Sequence, residues 1–150
     1  MSTARTAAIE TSRLTRRYGR ARGITELDLR VEAGEILGFL GPNGAGKTTT
    51  IRCLLGYLRP TSGSARVLGL DVTADSIAVR RQVGYLPSEL ALYPSMSGRE
   101  VIALSASLRG GVAESRVASL ARRLDVDLTR PIRAYSHGNR QKIGLILALM

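Results

Sequence analysis

The residues best suited to do chemistry lie in one short stretch. Gly41-Pro42-Asn43-Gly44-Ala45-Gly46-Lys47-Thr48 satisfies the pattern G-x-x-x-x-G-K-S/T in full. Each residue type there has a physical task. The glycines let the backbone curl so that successive N–H groups point inward at an anion. A helix that begins at the end of the loop adds its positive N-terminal end to the same place. Lys47 supplies a charge for the outer phosphates of a nucleotide, and the Thr48 hydroxyl supplies one oxygen ligand for Mg²⁺. The chemistry implied is the binding of a phosphorylated ligand, with ATP and Mg²⁺ as the expected pair.

Such a loop needs a strand before it and a helix behind it, and the flanking residues supply both patterns. Residues 36–40, Ile36-Leu37-Gly38-Phe39-Leu40, form a nearly all-apolar run, as in a strand buried on both faces. After the loop, Ile51, Leu54, Leu55 and Leu58 fall on one helical stripe, and Pro60 and Gly63 are the expected stop. Upstream, Leu27, Leu29 and Val31 alternate with Glu26, Asp28, Arg30 and Glu32, which predicts a strand with one wet face. Two more short strands are expected at 64–70 and 82–86. Ser97-Gly98-Arg99-Glu100 has capping-box spacing ahead of Val101, Leu104 and Leu108, and Gly110-Gly111 closes that helix. Val117, Leu120, Ala121 and Leu124 mark a further helix. A last one starts near Asn139, with Ile143, Ile146, Leu147 and Met150 on one side.

The bulk properties bound the rest. The sequence has 150 residues, 44% hydrophobic and 23% charged, which are ordinary globular values. The net charge is +10, almost all of it from arginine. The tightest basic group, Arg13, Arg16, Arg17, Arg20 and Arg22, is interrupted by other residues. It reads as a solvated face, and nucleic acid is not expected as a partner. Cys53 is the only cysteine, which excludes an intramolecular disulfide and fits a reducing compartment; its helical setting reads as a small buried residue. His137 is the only histidine and gives no reason to expect a metal centre or a catalytic triad. No apolar run reaches the length that spans a bilayer, and residues 1–10 hold no apolar core of signal-peptide length.

The loop, continued through Thr49, resembles the Walker A motif typical of ABC transporter ATPases, and the similarity extends over nearly the whole chain. Tyr18, in Arg16-Arg17-Tyr18-Gly19, matches the aromatic that stacks on adenine in that family, and it precedes Gly41 by 23 residues. Val83-Gly84-Tyr85-Leu86-Pro87-Ser88-Glu89 resembles the Q-loop segment, with Ser88 where the family usually has glutamine. A serine there is shorter and would reach a metal only through water. Tyr135-Ser136-His137-Gly138-Asn139 resembles the signature usually written Leu-Ser-Gly-Gly-Gln. Ser136 and Gly138 are kept, and His137 and Asn139 replace glycine and glutamine. In the family this segment binds the γ-phosphate held by the opposite subunit.

The resemblance implies an α/β P-loop NTPase fold with an N-terminal antiparallel strand layer at 7–35, a loop-bearing core at 36–86, a helical subdomain at 88–138 and the start of the signature helix at 139–150. The core sheet is expected to be incomplete. In the family the signature helix is followed by four apolar residues, Asp and the catalytic Glu, and the chain reaches Met150 before that segment. No catalytic residue is therefore assigned, and the expectation is a fragment that does not hydrolyse ATP at a useful rate. The implied function is the ATP-binding subunit of an exporter for drugs or lipids, in a homo- or heterodimer. It would be peripheral on the cytoplasmic face of the membrane, beside a separate permease. Another P-loop enzyme such as a small-molecule kinase, or a non-catalytic nucleotide-binding or regulatory module, remains open on the residues alone.

Overall fold

A computed structural model describes residues 7–19 and 21–150. They divide into two compact units, one ending at Val83 and the other running from Gly84 to Met150.

The first unit is built on a long hairpin of β1 (Ala7–Tyr18) and β2 (Ala21–Glu32). With β3 (Ser62–Val67) and β4 (Leu70–Asp71) these strands form one antiparallel sheet in the order β2-β1-β3-β4. The alternation expected of β2 holds: Val31 is buried, Leu27 and Leu29 are half-buried, and Glu26, Asp28 and Arg30 are exposed. The hairpin is irregular in its middle, where its register shifts on either side of Leu14 and both Arg13 and Glu26 have positive φ. Such bulges leave ladder groups unpaired. Two buried threonines fill the gaps. Thr11 Oγ1 donates to the Leu27 carbonyl (2.8 Å) and accepts from the Leu29 N–H (2.8 Å). Thr15 Oγ1 donates to the Arg13 carbonyl (3.1 Å) and accepts from the Glu26 N–H (2.9 Å).

Two helices, α1 (Lys47–Leu54) and α2 (Ser76–Gln82), belong to this unit. Its core comprises Leu14, Ile24, Cys53, Ala65, Val67, Val72 and Val79. Cys53 is fully buried, as its setting predicts, and burial pushes its thiol pKa up. Helix α1 is shorter than the stop at Pro60 and Gly63 implies. It ends after Leu54 because Gly56 turns the chain with φ +67, at a point where a Cβ would lie 2.6 Å from Ser76 Cβ and 2.8 Å from the Val72 carbonyl.

The strand expected at 36–40 does not form. No described strand pairs with this run, and a strand of the doubly buried kind needs ladder partners and cover on both faces. Ile36 and Leu40 are 100% and 92% exposed. Leu37 and Phe39, at 43% and 37% exposure, instead line a cleft with Ile9, Leu29, Val31 and Leu54, so the two-residue alternation of an extended chain survives with one side partly covered.

The second unit is helical: α3 (Gly98–Leu108), α4 (Glu114–Arg123), one 3-10 turn (Ile132–Ala134) and α5 (His137–Leu149). Val101, Ile102, Ile132, Tyr135, Ile143 and Ile146 form its core, with Val117, Leu120, Ala121 and Leu124 of the expected α4 stripe packed against it. The strand expected at 82–86 does not form: Gln82 ends α2, and 83–86 are irregular. Within the second unit Gly84 runs against α5 so closely that a Cβ would fall 1.9 Å from the Ala148 carbonyl oxygen, so this position is set by helix contact rather than by a sheet. Helix α5 begins at His137, two residues ahead of the position read from the apolar stripe, because Ser136 caps it.

The capping box at α3 forms as its spacing predicts. Ser97 Oγ accepts from the Glu100 N–H, and the Glu100 carboxylate accepts from the Ser97 N–H (2.6 Å) and hydroxyl (2.8 Å). The N–H first, then the hydroxyl, holds the Glu100 carboxyl below its ordinary range. A lowered pKa in the folded state contributes stability that is present above the unfolded value, about 4.3 for glutamate, and is lost as pH falls through the lowered one. Glu100→Gln should therefore flatten the acid limb of the stability–pH curve below about pH 4.3. Denaturation midpoints taken at a series of pH values check this.

Candidate nucleotide site

The glycine-rich loop sits on the hairpin through Gly46. Its φ is +91, and a Cβ there would lie 2.5 Å from Ile24 Cγ2 and 3.2 Å from the Gly23 carbonyl oxygen. Glycine is required twice, for the backbone angle and for the close approach. Gly44 also has positive φ (+82) but faces open space. The Ala45 N–H bonds the Pro42 carbonyl (3.2 Å), which curls the loop.

Helix α1 starts at Lys47 with Gly46 as N-cap, without a side-chain cap and without an acidic residue in its first turn. Its positive end is therefore not compensated by side chains, in contrast to α3, where Ser97 and Glu100 do both jobs. Thr50, fully buried, turns its hydroxyl back to the Gly46 carbonyl (3.0 Å). Lys47 Nζ reaches back over the loop to the carbonyls of Gly41 (2.6 Å) and Pro42 (2.8 Å). These are exchangeable, solvent-side partners, so the ammonium can move to a stronger anionic acceptor.

Asn43, Gly44, Gly46, Lys47, Thr48 and Thr49 line a cleft of about 270 Å³. The donor set is one ammonium, hydroxyls, backbone N–H groups and a helix N-terminus, with no carboxylate in the lining. That set fits a polyphosphate. For Mg²⁺ it offers only neutral oxygens, the Thr48 hydroxyl in the first turn of α1 with the Thr49 hydroxyl and the Asn43 carboxamide beside it, so the negative charge around a bound ion would come from phosphate.

Tyr18 ends β1 at 40% exposure. Gly23 connects it to the loop: a Cβ on Gly23 would lie 3.5 Å from the Tyr18 ring on one side, while the Gly23 carbonyl forms part of the floor under Gly46. Nothing in the local sequence marks Gly23 or Ile24 as site residues, because their role is a contact between segments far apart in the chain.

The basic group that reads as a solvated face is partly so. Arg17 is exposed, and Arg13 is exposed and ion-paired with Glu26. Arg16 departs from that reading: it is half-buried, with its guanidinium over the Tyr18 ring. Arg20 lies outside the described residues, as does the side chain of Arg22.

The second unit holds the other predicted positions. Ser88 and Glu89 are exposed on an irregular segment. Ser136 is the N-cap of α5, its Oγ accepting from the Asn139 N–H (3.2 Å). His137 and Gly138 are exposed in the first turn, and Asn139 is half-buried. The first turn of α5 carries no acidic residue, so an anion is compatible with it.

Two anchors that sequence reasoning missed hold this helix start. The buried Tyr135 hydroxyl donates to the Asp127 carbonyl, and Lys142 Nζ donates to the Asp125 carbonyl (2.8 Å). Gly98 makes room for the tyrosine, since a Cβ there would lie 2.7 Å from its hydroxyl. Burial, then the Asp127 charge, raises the Tyr135 pKa and keeps the phenol a donor.

Residues 24–150 match the sequence profile of the ABC transporter family. The chain is 37% identical over 155 residues to the daunorubicin/doxorubicin resistance ATP-binding protein DrrA of Streptomyces peucetius, an alignment covering 100% of this chain and 47% of that protein. It is 32% identical over 144 residues to the bacitracin transport ATP-binding protein BcrA of Bacillus licheniformis, covering 95% of this chain and 47% of that protein. The chain thus spans about half the length of these curated relatives. Among solved structures, one described as the ATP binding subunit of an ABC transporter superposes with a TM-score of 0.82 at 28% identity, over 94% of this chain and 61% of that one.

The seat of the loop gives a direct test. Gly46→Ala combines a strained φ with a collision against a β-branched side chain, and should destabilise the first unit by more than about 1 kcal/mol. Gly44→Ala carries the strain alone and should cost less. Chemical denaturation of both variants checks the order.

Proposed function

The chain belongs to the ABC transporter family, and on that premise we propose that the 41–48 loop binds the phosphates of Mg-ATP for an exporter that works with a separate membrane permease. The observation that carries the reading is the uncompensated start of α1 beneath Lys47, whose ammonium is held only by two loop carbonyls. Family membership removes the small-molecule kinase reading.

In this reading each residue has a limited task. Lys47 leaves the Gly41 and Pro42 carbonyls and neutralises the outer phosphates. The backbone N–H groups of the loop and first turn hold the remaining phosphate oxygens. Thr48 gives one oxygen to the Mg²⁺, which when bound offsets phosphate charge. Tyr18 offers its ring to the base. Ser136, His137, Gly138 and Asn139 present the uncharged start of α5 to the nucleotide of a second ATP-binding subunit, homologous or identical. Ser88 stands at the position that links nucleotide to permease. The segments 7–35, 36–86, 88–138 and 139–150 serve as strand layer, loop core, helical subdomain and signature-helix start. No described residue is assigned as the base for water attack.

Drug transport comes to this chain from the printed names of its relatives, and the lipid alternative from the resemblance of its variant signature alone. Among the described residues no helix is long and apolar enough to cross a membrane. The reading puts the chain peripherally at the cytoplasmic face, beside its permease.

Equilibrium binding of Mg-ATP tests the loop. Lys47→Ala should weaken binding by about 2 kcal/mol or more, since a charge-assisted contact is lost; equal affinity of variant and wild type would refute the site.

The role of Ser136 is tested in the whole protein. Ser136→Arg should spare ATP binding by the monomer and abolish ATP-driven dimerisation. Ser136→Asp keeps the helix cap but adds an anion facing phosphate, and should also fail to dimerise. Species that sediment as monomers for both variants in analytical ultracentrifugation, with ATP bound, are the expected result.

A further inference from the structure

The role given to Tyr18 treats the base platform as one ring, but in the structure it is two side chains. Arg16, two residues earlier on the same strand face, places its guanidinium carbon 5.0 Å from the centroid of the Tyr18 ring. Its Nη1 is tied to the Arg59 carbonyl (2.9 Å), while its Nε is buried without a hydrogen-bond partner among the described residues. A half-buried arginine that leaves one donor unsatisfied is not arranged to maximise its hydrogen bonds. What the arrangement does provide is a cation against an aromatic face, at a position where the tether to the 59 carbonyl limits its swing.

Two further facts aim this pair at a ligand. Tyr18 keeps 40% of its surface open. The backbone beside the ring, at Gly23, is the same backbone that supports Gly46, so the ring belongs to the same rigid patch as the phosphate loop. A tyrosine at a strand end swings about its χ angles unless something holds it. Arg16 stacked on part of the ring restricts that motion and leaves the rest free to stack.

We propose that Arg16 is a positioning residue for the base site: it holds the Tyr18 ring by a cation–π contact so that a purine stacks on the surface left open. This rests on the assignment of Tyr18 to the base. Arg16 makes no contact with phosphate in this scheme, and its effect passes wholly through Tyr18.

The test uses the full chain with two ligands, Mg-ATP and Mg-tripolyphosphate, the second having no base to stack. Arg16→Ala should weaken ATP at least about 2- to 5-fold, the range of an exposed cation–π contact. It should leave tripolyphosphate affinity unchanged, and its effect on ATP should vanish in a Tyr18→Ala background. Arg16→Lys, which retains a cation, should recover part of the loss and guards against a fold defect in the alanine variant. An equal loss for both ligands, or an undiminished loss in the Tyr18→Ala background, overturns the proposal while leaving Tyr18 in place. If Tyr18→Ala itself fails to weaken ATP relative to tripolyphosphate, the base assignment falls and Arg16 with it.

Discussion

The first unit depends on one close approach, that of Gly46 to the backbone of Gly23 and to Ile24. It joins the phosphate loop to β2 at a distance no other residue type tolerates. The hairpin in turn carries Tyr18 and Arg16. If Tyr18 is the base platform proposed above, a loop fixed to the strand pair that bears it needs no ligand to bring the two into register, and preorganisation of this kind reduces the ordering cost of binding. The hairpin can hold that geometry because Thr11 and Thr15 repair the ladder where Arg13 and Glu26 bulge out. Substituting either threonine by valine would preserve shape but strand a buried N–H and a carbonyl.

Three helix starts show how differently one chain treats the same four unsatisfied N–H groups. At α3, Ser97 and Glu100 cap and charge the end, which makes it a stable terminus with nothing left to offer a ligand. At α5, Ser136 caps without adding charge, and Tyr135 and Lys142 pin the approach. At α1, glycine caps with no side chain at all. A closed end is stabilised by its own side chains, while an open end keeps its N–H groups for a ligand. The gradient from α3 to α1 follows the roles assigned to them.

The run at 36–40 separates composition from burial. Its apolar residues mark it as a strand meant for an interior, yet Ile36 and Leu40 are in solvent, and Leu37 and Phe39 are only partly covered. Hydrophobicity states a demand for neighbours; whether the demand is met depends on ladder partners, and no described strand supplies them. The irregular run at 84–86 is a second case, with Gly84 against the backbone of α5 and no sheet partner.

The sequence by itself determined whatever rests on short-range chemistry. The phosphate loop follows from residues within one turn of each other, the capping box of α3 from four consecutive residues, and the wet and dry faces of β2 from simple alternation. All three are local, so composition and spacing suffice to read them. The family, too, was legible, because its motifs are contiguous. Only the tertiary structure decided that Gly23 and Ile24 form the floor of the loop, that Gly56 stops α1 against Val72 and Ser76, that Tyr135 reaches the Asp127 carbonyl, and that Arg16 leaves the solvated basic face to cover Tyr18. These are approaches of backbone and rings from separate segments. Their energies depend on distances that a linear order of residues does not contain.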